Sequence, residues 1–145
     1  MKPAALQITR QSGSMLLEAL IAILIFSMGI LAVAGMQASA VRATSDAKFR
    51  SDASMLANKL IGEMWVSDRT ASVLKTNFQG GGGTDGASYT AWTNDVYAIL
   101  PGAAANPPVV TVATSGTTTG LVSITLHWNL PGDQPHTYAV VAQIR

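Results

Sequence analysis

Residues 13–41 have the sequence GSMLLEALIAILIFSMGILAVAGMQASAV, a long apolar run that holds a single charged residue, Glu18. Glu18 is also the only charge between Arg10 and Arg42. A carboxylate in an apolar helix costs free energy, so an acid in that setting is a functional candidate by default. Glu18 is therefore the first candidate site residue of this chain.

The uncharged residues 19–41 are numerous enough to cross a bilayer as a helix, since about 20 apolar residues span a hydrocarbon core of roughly 30 Å. Ten of them are Leu, Ile, Phe or Val. Their summed insertion free energy, roughly −3 to −6 kcal/mol, offsets the cost of about 3 kcal/mol for one charge. Lys2 and Arg10 precede the run, which favours a cytoplasmic N-terminus and an exported C-terminal part.

Three fates of the N-terminal region compete. The apolar helix could remain as an uncleaved single-pass anchor. It could be an ordinary secretory signal peptide, because Ala38-Ser39-Ala40 has the small-x-small form of a cleavage site, although the apolar segment is far longer than such signals usually are. We expect the third fate, a cut between Gly13 and Ser14 after a short basic leader, which keeps the whole apolar helix on the mature protein.

The spacing of Ser14 and Glu18 gives this cut a physical purpose. Residues four apart on a helix share a face, and a carboxylate near the start of a helix complements the positive end of the macrodipole. A cut after Gly13 gives Ser14 a free ammonium, and a neighbouring chain could supply an equivalent one. Two opposite charges in lipid gain free energy by pairing. We therefore expect Glu18 to set the register of assembly through charge pairing.

From Gln11 to about Phe49 the chain resembles the type IV pilin family, through Gly13, Leu16-Leu17-Glu18 and the long apolar helix that follows. The resemblance implies that residues 1–13 are a leader peptide, which prepilin peptidase removes by cutting between Gly13 and Ser14. It also implies N-methylation of the new terminal amine. Family members usually carry Phe or Met at that position, whereas this chain carries Ser14.

The segment after Arg42 changes from apolar to amphipathic. Phe49, Ala53, Leu56, Leu60 and Met64 recur every three or four residues, which predicts one apolar stripe on a helix. The charged residues suggest i,i+4 pairs of Asp46 with Arg50 and of Lys59 with Glu63, and Trp65 is expected to pack beside the stripe. We expect a single helix from about Met15 into the mid-70s, with residues 14–41 as its transmembrane half and residues 42–78 as its amphipathic half.

Residues 79–145 are expected to form an exported head. Residues 79–87 contain four consecutive glycines, Gly80 to Gly83, and read as a linker. Residues 89–100 then show a short helical stripe that Pro101-Gly102 ends, although their aromatic residues leave a strand open as an alternative.

The last third of the chain is predicted to be strands. Residues 109–114 are rich in β-branched side chains. Residues 122–128 alternate strictly between apolar and polar side chains, and apolar residues also occupy alternate positions near the C-terminus, at Tyr138, Val140, Ala142 and Ile144. Pro131-Gly132-Asp133 joins the last two strands as an antiparallel hairpin. The expected fold class is therefore α+β: a long N-terminal helix packed against a small antiparallel sheet, as in pilins.

Composition excludes several function classes. The net charge of +1 gives no footprint for nucleic acid, and the absence of cysteine rules out disulfides and thiolate metal sites. His127 is predicted on the polar face of its strand and His136 in the hairpin turn, so no metal site is expected. Catalytic motifs and clustered carboxylates beside a base are missing. We expect no cofactor and no enzymatic activity.

Within the pilin family, Leu-Leu-Glu at 16–18, a Trp92-led segment closed by Leu100-Pro101-Gly102, and a terminal strand hairpin resemble the PilV group of minor pilins. That resemblance implies a low-abundance inner-membrane subunit, with its head in the periplasm and later in the pilus. Its partners would be other minor and major pilins, prepilin peptidase and the inner-membrane assembly platform. A minor pseudopilin of a type II secretion system is the main alternative, and a single-pass membrane-anchored binding domain is an alternative of a different class.

Overall fold

The computed structural model describes residues 12–145, which form helices first and an antiparallel sheet last. The elements are α1 (Ser12–Val66), α2 (Ala71–Phe78), α3 (Ala87–Ile99), β1 (Val109–Val112), a short 3₁₀ turn (Gly116–Thr118), β2 (Leu121–Trp128) and β3 (His136–Gln143). The described chain divides into two compact units, with the boundary between Thr44 and Ser45. The α+β class with a long N-terminal helix and a small antiparallel sheet is confirmed.

The end of α1 corrects one prediction. We expected the amphipathic half of the helix to continue to residue 78, but α1 ends at Val66 and the chain turns at residues 67–70. Ser67 Oγ donates to the Met64 carbonyl over 2.9 Å, and Asp68 accepts from the Thr70 backbone N–H over 2.9 Å. Serine and aspartate bond to nearby backbone groups in this way and so favour turns over a continued helix. The bond from the Thr70 N–H also lowers the pKa of the Asp68 carboxyl.

The predicted apolar stripe of α1 is confirmed within the second unit. Its buried members are Ala53, Leu56, Ala57, Leu60 and Met64, and Phe49 packs against the same core. The prediction that Trp65 packs beside the stripe is wrong, because its side chain is 46% exposed. Successive helical residues are about 100° apart around the axis, so the residue after Met64 turns away from the stripe.

The glycine segment is more than the linker we predicted. Gly80 pairs with Val110 of β1 by two backbone hydrogen bonds of 3.2 and 3.0 Å. A Cβ at Gly80 would lie 2.3 Å from the Tyr89 ring, and Gly81 adopts φ +82° beside the Pro108 carbonyl. Only glycine fits at position 80, where the Tyr89 ring approaches the backbone closely. Glycine is also the residue that adopts the left-handed conformation of Gly81 without strain. These two glycines therefore fasten the segment to the edge of the sheet.

The predicted helix over residues 89–100 is confirmed and the strand alternative is excluded. Helix α3 runs from Ala87 to Ile99 and buries Tyr89, Trp92, Thr93 and Val96. The backbone N–H of Leu100 donates to the Val96 carbonyl, and Pro101-Gly102 then ends the helix.

The three strands form one antiparallel sheet in the order β1-β2-β3. Val110 lies opposite Ile124, and Ile124 lies opposite Val140. The predicted alternation is confirmed, since Val122, Ile124, Leu126 and Trp128 are buried while the residues between them are partly exposed. The predicted hairpin between the last two strands is also present. One face of the sheet thus shares a core with residues 49–64 of α1 and with α2 and α3.

Candidate functional site

The N-terminal part of α1 presents a largely apolar surface. Every residue from 14 to 44 is exposed within the chain, and the large apolar side chains there include Leu17, Leu20, Ile23, Phe26, Leu31 and Met36. Monomeric soluble proteins rarely expose apolar patches of more than a few hundred Å². An apolar surface of this kind is typical of segments that contact lipid or another protein.

The same helix is long and apolar enough to cross a membrane. Its internal polar groups suit that environment, because Ser27 Oγ donates to the Ile23 carbonyl over 2.7 Å and so keeps its hydroxyl satisfied within the helix. No proline occurs between residues 12 and 66, so every residue of this segment has a backbone N–H that can donate to the helix.

Gly13 and Ser14 lie on α1, which the structure describes from Ser12 onward. Residues 1–11, most of the predicted leader, lie outside the described part of the chain. The predicted cleavage bond is thus a peptide bond within the described part of this helix.

Glu18 follows Ser14 by four residues on the same helix and is exposed. A four-residue step advances about 6 Å along the axis and returns to the same face. In the uncut chain the Ser14 nitrogen is an uncharged amide, so this geometry offers Glu18 no cation. A cut after Gly13 would place an ammonium on the face that carries the carboxylate.

We predicted that Lys59 pairs with Glu63. It pairs instead with Asp95 and so joins α1 to α3. Its Nζ lies 2.5 Å from Asp95 Oδ2, and both side chains are about half exposed. The hydrogen bond to Asp95 and the attraction of that charge raise the pKa of Lys59. Asp95 lies on α3. Its distance from Lys59 therefore depends on how the two helices pack, which the i,i+4 rule does not describe.

We predicted His136 in the hairpin turn. It is instead the first residue of β3. Its ring stacks on Trp128, with centroids 5.4 Å apart and planes inclined by 9°. Its Nδ1 lies 3.2 Å from Asp46 and its Nε2 lies 3.5 Å from Asp133. Asp46, predicted to pair with Arg50, thus reaches the hairpin. The sequence signal for the Asp46 contact is weak, because Asp46 lies on α1, far along the chain from the hairpin that holds Trp128, Asp133 and His136.

His127 lies on the polar side of β2 as predicted, with Nδ1 3.3 Å from Thr137 Oγ1. Within residues 12–145, no group of three or more His, Asp or Glu side chains is arranged to hold a metal ion. The residues singled out for chemistry are thus Gly13, Ser14 and Glu18, all on one end of α1.

Comparisons with protein-family models, with curated proteins and with solved structures give no match to this chain.

Proposed function

We propose that this chain is a minor pilin subunit of a type IV pilus, which prepilin peptidase processes and which helps to initiate the filament together with other minor pilins. One observation carries the proposal. Glu18 is the sole charge of the exposed apolar segment of α1, residues 13–41, and it lies four residues after Ser14 on the same face. A plain anchor has no use for an acid at that position, since the acid only weakens insertion.

The cut would act as a switch on the charge of the helix start. Before the cut, Glu18 is an unpaired anion in or near the membrane. After the cut, the Ser14 ammonium and the carboxylates of neighbouring subunits attract each other strongly, because both are poorly solvated. An incoming helix would settle where its ammonium meets such a carboxylate, which fixes its register along the growing filament. N-methylation of Ser14 would keep the positive charge on the amine.

The second unit would be the exported head. It is an α+β domain with its own core, and its partners would be other minor and major pilins. Before incorporation the subunit would sit in the inner membrane by a single pass, with the head in the periplasm and the helix next to the assembly platform. After assembly it would belong to the pilus at the cell surface.

Two other functions share part of these features. A minor pseudopilin of a type II secretion system would use the same helix, the same cut and a similar priming role, and its partners would be secretion components. A single-pass membrane-anchored binding domain would use the helix as its anchor. It would require neither a cut between Gly13 and Ser14 nor the carboxylate of Glu18. Copurification with pilus or with secretion components separates the first two.

The deciding experiment is the intact mass of the protein extracted from membranes of cells with and without prepilin peptidase. We expect a mass that corresponds to a Ser14 start only when the peptidase is present, and one further methyl group if the amine is methylated. A full-length mass in both strains would leave an anchored domain, and a start at Val41 would make the segment a secretory signal peptide. Either of these last results refutes the proposal.

A further inference from the structure

The ring of His136 lies between two carboxylates that come from different parts of the second unit. Its Nδ1 lies 3.2 Å from Asp46 Oδ1 on α1, and its Nε2 lies 3.5 Å from Asp133 Oδ2 in the loop between β2 and β3. The His136 side chain is largely buried, whereas both acids are about half exposed. The ring therefore bridges α1, close to where the second unit begins at Ser45, and the β2–β3 hairpin.

Strand β2 fixes the position of this ring. Trp128 and His136 are cross-strand partners, and their rings are stacked almost parallel. His136 Nε2 is buried, and no atom of residues 12–145 forms a hydrogen bond with it. A buried polar atom in this position costs free energy unless a nearby charge compensates it. The Asp133 carboxylate, at ion-pair distance, can do so when Nε2 carries a proton.

Only the protonated ring attracts both acids at once. A neutral imidazole has a proton on one nitrogen and a lone pair on the other, whereas the imidazolium donates from both. In the neutral ring, one lone pair therefore faces a carboxylate oxygen of Asp46 or Asp133 at 3.2 or 3.5 Å, and this contact is repulsive. Partial burial strengthens the attraction in the charged state and the repulsion in the neutral state, because less water screens them.

The other charged groups near the ring do not replace these two acids. On α1, Arg50 lies one turn after Asp46, and Arg42, four residues before it, belongs to the first unit. Asp46 nevertheless has His136 as its ion-pair partner. On β2 the neighbouring titratable residue is His127, which lies on the polar side of the sheet. The loop after α3, which borders Trp128, has no charged residue at positions 101–106.

We propose that Asp46, His136 and Asp133 form a pH-responsive contact, in which the protonated ring holds α1 against the β2–β3 hairpin. When the ring loses its proton, one of its two contacts becomes repulsive, and this end of the second unit is held less firmly. Histidine changes its charge between about pH 5 and 8, whereas aspartate as a class stays ionised over that range. All three residues belong to the second unit, so the proposal does not depend on the function proposed for the N-terminal helix.

The test compares the unfolding equilibrium of the full chain in detergent micelles at about pH 5.5 and about pH 8. All three tryptophans of the chain lie in the second unit, so their fluorescence during a urea titration reports the unfolding of that unit. The contact stabilises the charged ring, so unfolding becomes more favourable as the proton leaves. We expect the unfolding constant to rise about fivefold at the higher pH, since partly exposed ion pairs contribute about two- to fivefold each.

Three substitutions attribute this rise to the contact. His136→Phe keeps a flat ring beside Trp128 without a charge and should abolish the rise. Asp46→Asn removes one of the two acids and should reduce the rise to about twofold. His127→Phe is the matched control, because it removes the chain's other histidine, and it should keep the full rise. An unfolding constant that does not rise in the wild type, or that rises equally in His136→Phe, would overturn the proposal.

The wild-type protein offers a second measurement that needs no substitution. The ¹⁵N shifts of the imidazole show which ring nitrogens carry protons, and the backbone amide signals of Asp46 and Asp133 report on the two contacts. At about pH 5.5 both nitrogens of His136 should be protonated, and the two amide signals should move together with the ring signals as the pH rises to about 8. A ring that is already neutral at about pH 5.5 contradicts the proposal. Amide signals that stay fixed while the ring titrates contradict it as well.

Discussion

Trp92 of α3 donates its indole N–H to the main-chain carbonyl of Leu56 in α1 over 2.9 Å, and both residues are buried. This bond holds the third helix against the part of α1 that lies in the second unit. We expect Trp92→Phe to lower the free energy of unfolding by about 2 kcal/mol, since it removes the hydrogen bond and part of the buried ring. Urea denaturation followed by circular dichroism measures the loss.

Trp65→Phe is the matched control, because Trp65 is also on a helix but is 46% exposed. It should change the unfolding free energy by no more than about 0.5 kcal/mol. Equal effects of the two substitutions would mean that the bond between Trp92 and Leu56 does not hold α3 in place.

The glycine run offers a second comparison within one loop. Gly80→Ala places a methyl group 2.3 Å from the Tyr89 ring, whereas a Cβ at Gly82 meets nothing within 4 Å. We expect Gly80→Ala to cost about 3 kcal/mol, because the ring is packed and the Gly80 pairing with Val110 must shift. Gly82→Ala should be close to neutral. Thermal unfolding of both variants measures the difference, and a tolerated Gly80→Ala would show that Tyr89 can move aside.

Tyr89 makes the stability of the head sensitive to high pH. Burial raises the pKa of its hydroxyl to about 12, and that hydroxyl donates to the Pro108 carbonyl over 2.6 Å. The folded pKa lies above the unfolded value of about 10, so the stabilisation is fully present below about pH 10. It is then lost as the pH rises through about 12.

Alkaline denaturation checks this dependence. We expect the unfolding free energy to decline between about pH 10 and 12 in the wild type and to decline less in Tyr89→Phe, which has no hydroxyl to ionise. At neutral pH the variant should lose about 1 kcal/mol with the hydrogen bond. Parallel curves for the two proteins above pH 10 would exclude Tyr89 as the cause.

Local patterns in the sequence predicted the elements that depend on local chemistry. The alternation of residues 122–128 and the stripe from Ala53 to Met64 were found because period and burial follow directly from strand and helix geometry. The break at residues 67–70 was missed because the apolar spacing runs on past it, whereas Ser67 and Asp68 bond to the backbone and stop the helix. The sequence does hold a signal for this stop, namely Ser67 and Asp68 in succession, followed by Thr70 at the N-cap position of α2.

Contacts between distant segments could not be predicted in the same way. Lys59 takes Asp95 as its partner, and Asp46 takes His136, since tertiary packing and not helical spacing decides which charges meet. The sequence predicts Gly80 only as part of a linker, because its pairing with Val110 depends on where the sheet lies. The candidate site is different, because Gly13, Ser14 and Glu18 lie within six residues on one helix and their relation is local.

The proposed role of Glu18 is tested by three substitutions at one position. Glu18→Ala and Glu18→Gln remove the charge, and both leave the Gly13-Ser14 bond in place. Because an uncompensated ammonium in lipid costs several kcal/mol, we expect incorporation into filaments to fall by about tenfold or more in both variants. Glu18→Asp keeps the charge on a shorter side chain and should retain part of the incorporation.

Quantitative immunoblots of sheared filaments and of membranes measure this incorporation, and the intact mass of the membrane pool reports the cut separately. Glu63→Ala is the control for loss of an acid, since Glu63 lies on α1 outside the apolar segment and should leave incorporation unchanged. If Glu18→Ala is incorporated normally, pairing of the Glu18 carboxylate with a Ser14 ammonium is not required for assembly, and that part of the proposal is wrong. A correctly cut Glu18→Ala that stays in the membrane would locate the action of Glu18 after processing, where the Ser14 ammonium exists to be paired.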